Sequence, residues 1–201
     1  MKPVELISDR DLLAEKAGGL FSQYGIRSLN LEMIFRKLGI SRKDFHRFFA
    51  DKNELVDCVI SKLVEQHKEE LQTVMKTGNA VEQALAARKV IDKLLLKLPV
   101  KFRYELKKYY PEIYQHLTDF KEDWLLKICK TNLSAGITEG LYRQSINIDV
   151  ISVYLVNLVM EKSAEGFSKA KKYPVEEVKR QLTEFELSGI CTEEGRVFLG
   201  N

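Results

Sequence analysis

Residues 31–49 read Leu31-Glu32-Met33-Ile34-Phe35-Arg36-Lys37-Leu38-Gly39-Ile40-Ser41-Arg42-Lys43-Asp44-Phe45-His46-Arg47-Phe48-Phe49. Two short helical segments flank Gly39-Ile40. Asn30 is suited to cap the first and Ser41 the second, because short polar side chains accept the free N–H groups of a first turn. Two helices that cross steeply around a tight, often glycine-containing turn form a helix-turn-helix. Ile34, Leu38, Ile40, Phe45 and Phe48 fall where such a corner must be apolar. Arg42, Lys43, Asp44, His46 and Arg47 remain for the outer face of the second helix. A positive first turn with long hydrogen-bonding side chains fits a DNA major groove. The same pattern also describes a plain helical hairpin with a solvated face.

Charge separates these readings. Arg27, Arg36, Lys37, Arg42, Lys43, Arg47 and Lys52 oppose only Glu32, Asp44 and Asp51, so residues 27–52 carry +4. The whole chain, with 32 Lys+Arg and 29 Asp+Glu in 201 residues, carries only +3. Positive charge is concentrated on the proposed reading head, as phosphate binding requires.

The rest of the chain carries 3.6-residue periodicity with no sustained apolar/polar alternation, which predicts an all-α fold. Helices are expected over about Asp9–Tyr24, Leu31–Leu38, Arg42–Phe48, Lys52 into the 70s, Ala80–Leu98, Val100–Tyr109, Pro111 to Gly136 or Glu139, Asp149–Phe167 and Pro174–Ser188. That makes nine helices and no strand. Ser8 with Asp11 resembles a capping box, and the tail from Gly189 shows no period. Hydrophobic residues make up 45% and charged residues 30%, which excludes a disordered chain. Cys58, Cys129 and Cys191 are odd in number and far apart, which argues against a disulfide framework or a local zinc site and suits a cytoplasmic location. The N-terminus lacks the apolar segment of a signal peptide, and no apolar run is long enough to cross a membrane.

The head resembles the TetR family of bacterial transcriptional regulators. Leu20-Phe21-Ser22-Gln23-Tyr24-Gly25 is similar to the end of that family's first helix, and Gly39-Ile40-Ser41 to its turn. His46-Arg47-Phe48-Phe49 resembles the close of its recognition helix, and Asp51-Lys52-Asn53-Glu54-Leu55 the start of its fourth helix. The likeness covers roughly residues 8–58. It departs at Phe35, where the family has a small residue, which implies a wider crossing or a reoriented ring. It departs also at Lys43, usually small, and at His46 and Phe48, usually Tyr.

This resemblance implies a DNA-binding head over residues 1–52 and a helical regulatory and dimerisation body over residues 53–201. It implies a homodimer reading a palindromic operator in double-stranded DNA, its heads about one turn, roughly 34 Å, apart. Repression is the family default. Arg42, Lys43 and Arg47 are candidates for base contact, though contact to phosphate alone is an open alternative. Asp44 either accepts from a base or favours the helix dipole. His46 and Lys52 are candidates for phosphate contact, and Asn30 leaves a helix N-terminus free to approach phosphate.

In the body, the nearly all-apolar helix from Asp149 and the last helix are the candidate dimer interface: Ile151, Tyr154, Leu155, Leu158, Val178, Leu182 and Phe185. Packing inside the monomer is the alternative. Tyr109, His116, Phe120, Trp124 and Ile128 are the candidate lining for a small apolar or aromatic ligand, against a reading as ordinary core. No cofactor and no metal is expected. His67 and Glu70, one turn apart, read as a solvated surface pair. Two other classes remain as alternatives: a helical protein–protein adaptor, and an enzyme. The latter has only three His and no nucleophile, zinc, P-loop or dinucleotide motif to support it.

Overall fold

A computed structural model describes residues 9–161 and 173–199. Among them the architecture is all helical: α1 (Arg10–Tyr24), α2 (Leu31–Leu38), α3 (Arg42–Phe45), α4 (Lys52–Val74), α5 (Ala80–Lys97), α6 (Val100–Tyr109), α7 (Pro111–Asp119), α8 (Leu126–Thr138), α9 (Ile148–Glu161), α10 (Val175–Ser188) and α11 (Glu193–Arg196). The expected boundaries match closely because capping residues set them. Asn30 accepts from Met33 N at 2.8 Å, and Ser41 accepts from Asp44 N at 3.0 Å. Asn79 and Glu82 form a reciprocal box at the start of α5, with bonds of 3.1 and 2.9 Å. Asp9 caps α1 through Leu12 N at 2.6 Å. Ser8, and residues 162–167 of the expected ninth helix, lie outside the described residues.

Three elements differ from expectation. The second helix of the corner keeps α geometry only over Arg42–Phe45; tight turns from Arg47 N to Asp44 O and from Phe48 N to Phe45 O continue it. The helix from Pro111 to Thr138 is continuous but passes through a π-helical segment, Phe120–Leu125. The tail forms α11, capped by Thr192, and a 3-10 turn, Val197–Leu199.

The chain divides into two compact units. One takes the chain up to Gln66 together with Leu96–Thr118. In it Leu13, Ala17, Phe21, Ile34, Phe35, Phe45, Phe49 and Leu55 are buried around the α2–α3 corner and α4, and Phe102 and Leu106 of α6 are buried as well. Phe45 lies 5.2 Å from Phe35 and 5.8 Å from Phe49, ring centre to ring centre. The Phe35 ring is tilted 54° to that of Phe45. Ile34 and Phe45 are buried as the spacing predicts, whereas Leu38, Ile40 and Phe48 stay partly exposed. Gly39, at φ +67, allows the left-handed turn between the two helices.

The other unit is His67–Leu95 with the chain from Asp119 onward. Tyr142 is its hub. The ring is buried, and its hydroxyl lies 3.0 Å from Ala80 O and 3.1 Å from Asn132 Oδ1. Asn132 Nδ2 donates to the same Ala80 carbonyl at 2.9 Å. The tail returns here through an antiparallel bridge between Tyr142 and Cys191, with Arg143 N donating to Ile190 O at 2.9 Å. His67 is buried to 1% exposure, so it is not the surface residue its charged neighbours suggest. The three cysteines are free.

Candidate nucleic-acid interface and cavity

The α2–α3 corner places Arg42, Lys43, Asp44, His46 and Arg47 all exposed, on a backbone anchored by buried Phe45 and Phe49. Phe45 alternates inward while its neighbours point out, so one buried ring orients the whole basic face. Arg42 donates to Glu32 at 3.1 Å, with both side chains about two-thirds exposed. Such a pair is worth about 0–1 kcal/mol, so the guanidinium is easily redirected. Arg47 stands 3.8 Å from Asp44 and 5.7 Å from the Phe48 ring. His46 meets the edge of Phe45 at 5.2 Å. Asn30 caps α2 and is exposed.

Lys52 sits differently. Its Nζ donates to Ile26 O at 2.7 Å and Leu29 O at 2.5 Å, tying α4 to the loop before α2. Burial lowers its pKa, an effect opposed by the nearby Glu105 charge and reinforced by Arg27. Glu105 is buried on α6 and accepts Arg27 N at 3.0 Å. On the same loop, Lys101 Nζ donates to Tyr24 O at 2.9 Å, and Arg27 lies 4.3 Å from the centre of the Tyr109 ring. The segment 25–29 is therefore held from α4 and α6. Gly25 leaves room for this: at φ +82, a Cβ would come within 2.8 Å of Lys101 Cε and 3.0 Å of the Glu105 carboxylate.

The five residues expected to line a ligand site are divided between the two units. Tyr109 and His116 border a shallow groove with Asn53 and Asp57, where His116 Nε2 and Asp57 Oδ1 are 2.9 Å apart. Phe120 is buried and stacks on Trp124 at 5.6 Å. Ile128 lines a cavity within the second unit. It measures about 110 Å³ and is walled by α5, α8, α9 and α10. Ile91, Leu125, Cys129, Leu155 and Leu187 make it apolar; Arg88, Asn132, Tyr142, Thr183 and Glu186 are its polar groups. Burial pushes the Cys129 thiol up to about 11, so it is an inert wall rather than a nucleophile. A signal for the cavity was present in the sequence. Ala84, Ala87, Arg88 and Ile91 recur at i, i+3, i+4 and i+7 on α5, a core-facing stripe whose alanines leave space.

The seven candidate interface residues also divide. Tyr154 (54%) and Phe185 (77%) are exposed, and Val150 and Val153 on α9 are exposed with them. Ile151 packs against the Tyr142 cluster, Leu155 lines the cavity and Leu158 is buried. Val178 and Leu182 are partly exposed. Among the described residues, no group of three His, Cys, Asp or Glu side chains could hold a metal ion, and no helix is long and apolar enough to cross a membrane.

Comparison with known proteins agrees with this geometry. The sequence model described as bacterial regulatory proteins, tetR family, matches residues 13–59, which hold α1, the α2–α3 corner and the start of α4. An HTH-type transcriptional regulator of Staphylococcus aureus (strain bovine RF122 / ET3-1) is 24% identical over 180 residues, spanning 79% of this chain and 96% of its own. A TetR-family transcriptional regulator from Marinobacter aquaeolei VT8 superposes with a TM-score of 0.74 at 14% identity, covering 96% of both chains. The transcriptional regulator FadR from Bacillus subtilis, solved with stearoyl-CoA, gives 0.69 at 17% identity over 89% of this chain and 97% of its own. The Phe-anchored basic corner and the family match to the residues that build it lead to one conclusion: residues 13–59 are similar to the DNA-binding head of the tetR family of bacterial regulatory proteins, and the chain is a DNA-binding transcriptional regulator.

Proposed function

We propose that this regulator is a cytoplasmic repressor that binds a palindromic operator as a homodimer and is released by a small apolar ligand. The observation that carries the DNA reading is the exposed set Arg42, Lys43, His46 and Arg47 around the buried Phe45. Arg42 and Arg47 contact base edges, Lys43 and His46 the phosphates, and Asp44 and Asn30 hold the helix starts. Residues 1–52 act as the reading head and residues 53–201 as the regulatory and dimerisation part. The exposed apolar stripe Val150, Val153 and Tyr154 on α9, with Phe185 on α10, supports dimerisation, since monomeric surfaces rarely leave such side chains clustered.

The effector site in this reading is the 110 Å³ cavity rather than the Tyr109–Trp124 stripe, because it combines apolar walls with a few polar groups. The stearoyl chain of the ligand solved with FadR supports an effector with an apolar portion. A ligand that favours the DNA-free state needs about 1–3 kcal/mol of coupling to release DNA over a useful range. Selection of bound sequences from a random double-stranded pool tests the proposal. A palindrome, with affinity falling steeply as salt rises, is the expected result; a single unrepeated half-site would refute the dimeric reading.

A further inference from the structure

Residues 97–108 carry Lys97, Lys101, Arg103, Lys107 and Lys108 against Glu105 alone, a net +4, as much as residues 27–52. Glu105 is buried, so the acid of this stretch is withdrawn from the surface. Lys101, Tyr104 and Lys108 recur at i, i+3 and i+7, which places them along one edge of α6. That edge is fixed to the loop before α2, within one compact unit. Lys101 Nζ donates to Tyr24 O at 2.9 Å and lies 3.3 Å from Ser28 Oγ. Lys37 of α2 stands 4.0 Å from the centre of the Tyr24 ring. At the other end of the loop, Arg27 covers the Tyr109 ring at 4.3 Å, and Lys108 lies 5.3 Å from that ring and 3.2 Å from the Tyr104 hydroxyl. Lys108, and then Arg27, hold the Tyr109 phenol below its usual pKa, so both cations reach one hydroxyl. Exposed cations thus alternate with exposed tyrosines from α2 to the end of α6. A cation resting on a ring face keeps N–H groups for a further acceptor, and tyrosine hydroxyls donate to phosphate oxygens.

Charge and continuity then decide the partner. Arg27, Lys37, Lys52, Lys101 and Lys108 outnumber the acids around them, Asp51, Glu105 and Glu112. Glu54 and Asp57, which share a groove with Tyr109, are paired with Arg10 and His116. The positive surplus continues from the start of α2, where Asn30 opens the reading head. A double helix carries about one negative charge per 1.7 Å, so it presents phosphates well beyond the bases that one short helix can read. An anionic lipid surface is the rival partner, because Leu96 (65%) and Val100 (53%) are exposed nearby. Val100, however, lies about 12 Å along α6 from Lys108, so the apolar side chains do not interleave with the cations.

We propose that the edge of α6 bearing Tyr104 and Lys108, with Arg27 and Tyr109, is a second DNA contact that grips phosphates of the duplex flanking the operator without reading its bases. It extends the α2–α3 reading face. The test is equilibrium binding of the full chain to two duplexes over a range of salt. One is the selected operator cut at its outer edges; the other adds about ten base pairs, one turn, on each side. The longer duplex should bind more tightly whatever the flanking sequence, with a salt slope steeper by about 0.9 for each phosphate gained. Lys108→Gln should remove about one phosphate's share on each flank, and Lys108→Arg should keep it; neither should alter the preferred operator sequence. Lys108 is exposed, so its replacement leaves the core intact. Equal binding of the two duplexes by the unaltered chain, a flank gain undiminished in Lys108→Gln, or an equal loss on both duplexes would overturn the proposal. So would Lys108-dependent binding to phosphatidylglycerol vesicles without any flank gain on DNA, which would assign the edge to a lipid surface. Arg42→Ala and Arg47→Ala keep the two readings apart. Those variants act on both duplexes alike, and a misplaced reading face would still leave the flank gain in place.

Discussion

Glu105 accepts the backbone N–H of Arg27 at 3.0 Å, from a side chain that is buried on α6. The same carboxylate faces Gly25 and lies near enough to Lys52 to raise its proton affinity. One buried acid thus organises the loop that positions the start of α2. Hydrogen bonds to charged groups contribute about 1.5–3 kcal/mol. Glu105→Ala is expected to lower stability by about that amount and to weaken DNA binding, because Arg27 and α2 lose their anchor. Glu105→Gln keeps an acceptor and should recover most of both. Urea unfolding with a parallel DNA titration checks this; equal damage by the two substitutions would show that charge, not acceptance, is the requirement.

Arg42 is paired with Glu32 before DNA arrives. Because both side chains are exposed, separating them costs little. Arg42→Ala and Arg47→Ala should each weaken specific binding by about 1–3 kcal/mol if bidentate to a base, and should relax the preferred sequence. Glu32→Gln acts in the opposite sense. It frees Arg42 and removes a negative charge near the phosphates, so affinity should rise, by less than about 1 kcal/mol. Binding isotherms on the selected operator and on shuffled DNA separate these effects. An unchanged preference in both arginine variants would place the reading face elsewhere.

Glu54 closes the turn into α4 by accepting Ala50 N at 2.7 Å and Arg10 at 3.0 Å. The Ala50 N–H, and then Arg10, hold its carboxyl below the ordinary value of 4.5. The folded state therefore binds this proton less readily than the unfolded chain. Its stabilisation is complete above 4.5 and is lost as pH falls through the lowered folded value. Glu54→Gln should flatten the acid side of the stability profile, seen as a weaker fall in the urea midpoint from about pH 6 to about pH 3. An unchanged acid slope would assign that limb to other carboxylates.

How much of this was legible in the sequence follows from range of action. Caps and turns act over three or four residues, so Asn30, Gly39, Ser41, Asn79 and Pro111 announce their helix ends directly. The corner was legible because its apolar spacing and its charge coincide. Which rings fill it was not: Phe35 and Phe49 are buried while Phe48 is partly exposed, since three closely spaced phenylalanines share one small space. Lys52 reads in sequence as a candidate for phosphate contact, yet its bonds to Ile26 O and Leu29 O depend on a loop more than twenty residues away. The aromatic residues from Tyr109 to Trp124 stand out in the sequence, whereas a void is defined by what small residues omit. Ala84 and Ala87 give a fainter signal than Trp124. The tail has no period because α11 is a single turn, held by Thr192 and by the bridge to Tyr142.

Gly136 touches the Tyr142 ring so closely that a Cβ there would lie 2.1 Å from Cδ2. The buried ring has no room to retreat. Gly136→Ala is expected to cost about 3 kcal/mol, at the upper end of ordinary overpacking. Tyr142→Phe removes only the hydroxyl. Ala80 O still accepts from Asn132, so the loss should stay near 1 kcal/mol. Thermal or urea unfolding of the two variants gives the comparison; a Tyr142→Phe loss as large as that of Gly136→Ala would mean that the hydroxyl, not the packing of the ring, holds this hub.

Filling the cavity separates ligand response from the act of reading DNA. Ala87 lines the void from α5. In Ala87→Leu, an isobutyl group replaces a methyl and occupies space that is otherwise empty. Filling a void restores dispersion contacts that its lining lacks, so stability should hold or rise by up to about 2 kcal/mol. Ligand binding in the cavity should disappear, and with it any release of DNA. Ligand-free DNA affinity should stay within about twofold, because the α2–α3 face is untouched. The expected phenotype is a regulator that binds its operator and does not let go. Ligand-induced release that persists in a stably folded Ala87→Leu chain would place the effector site outside this cavity.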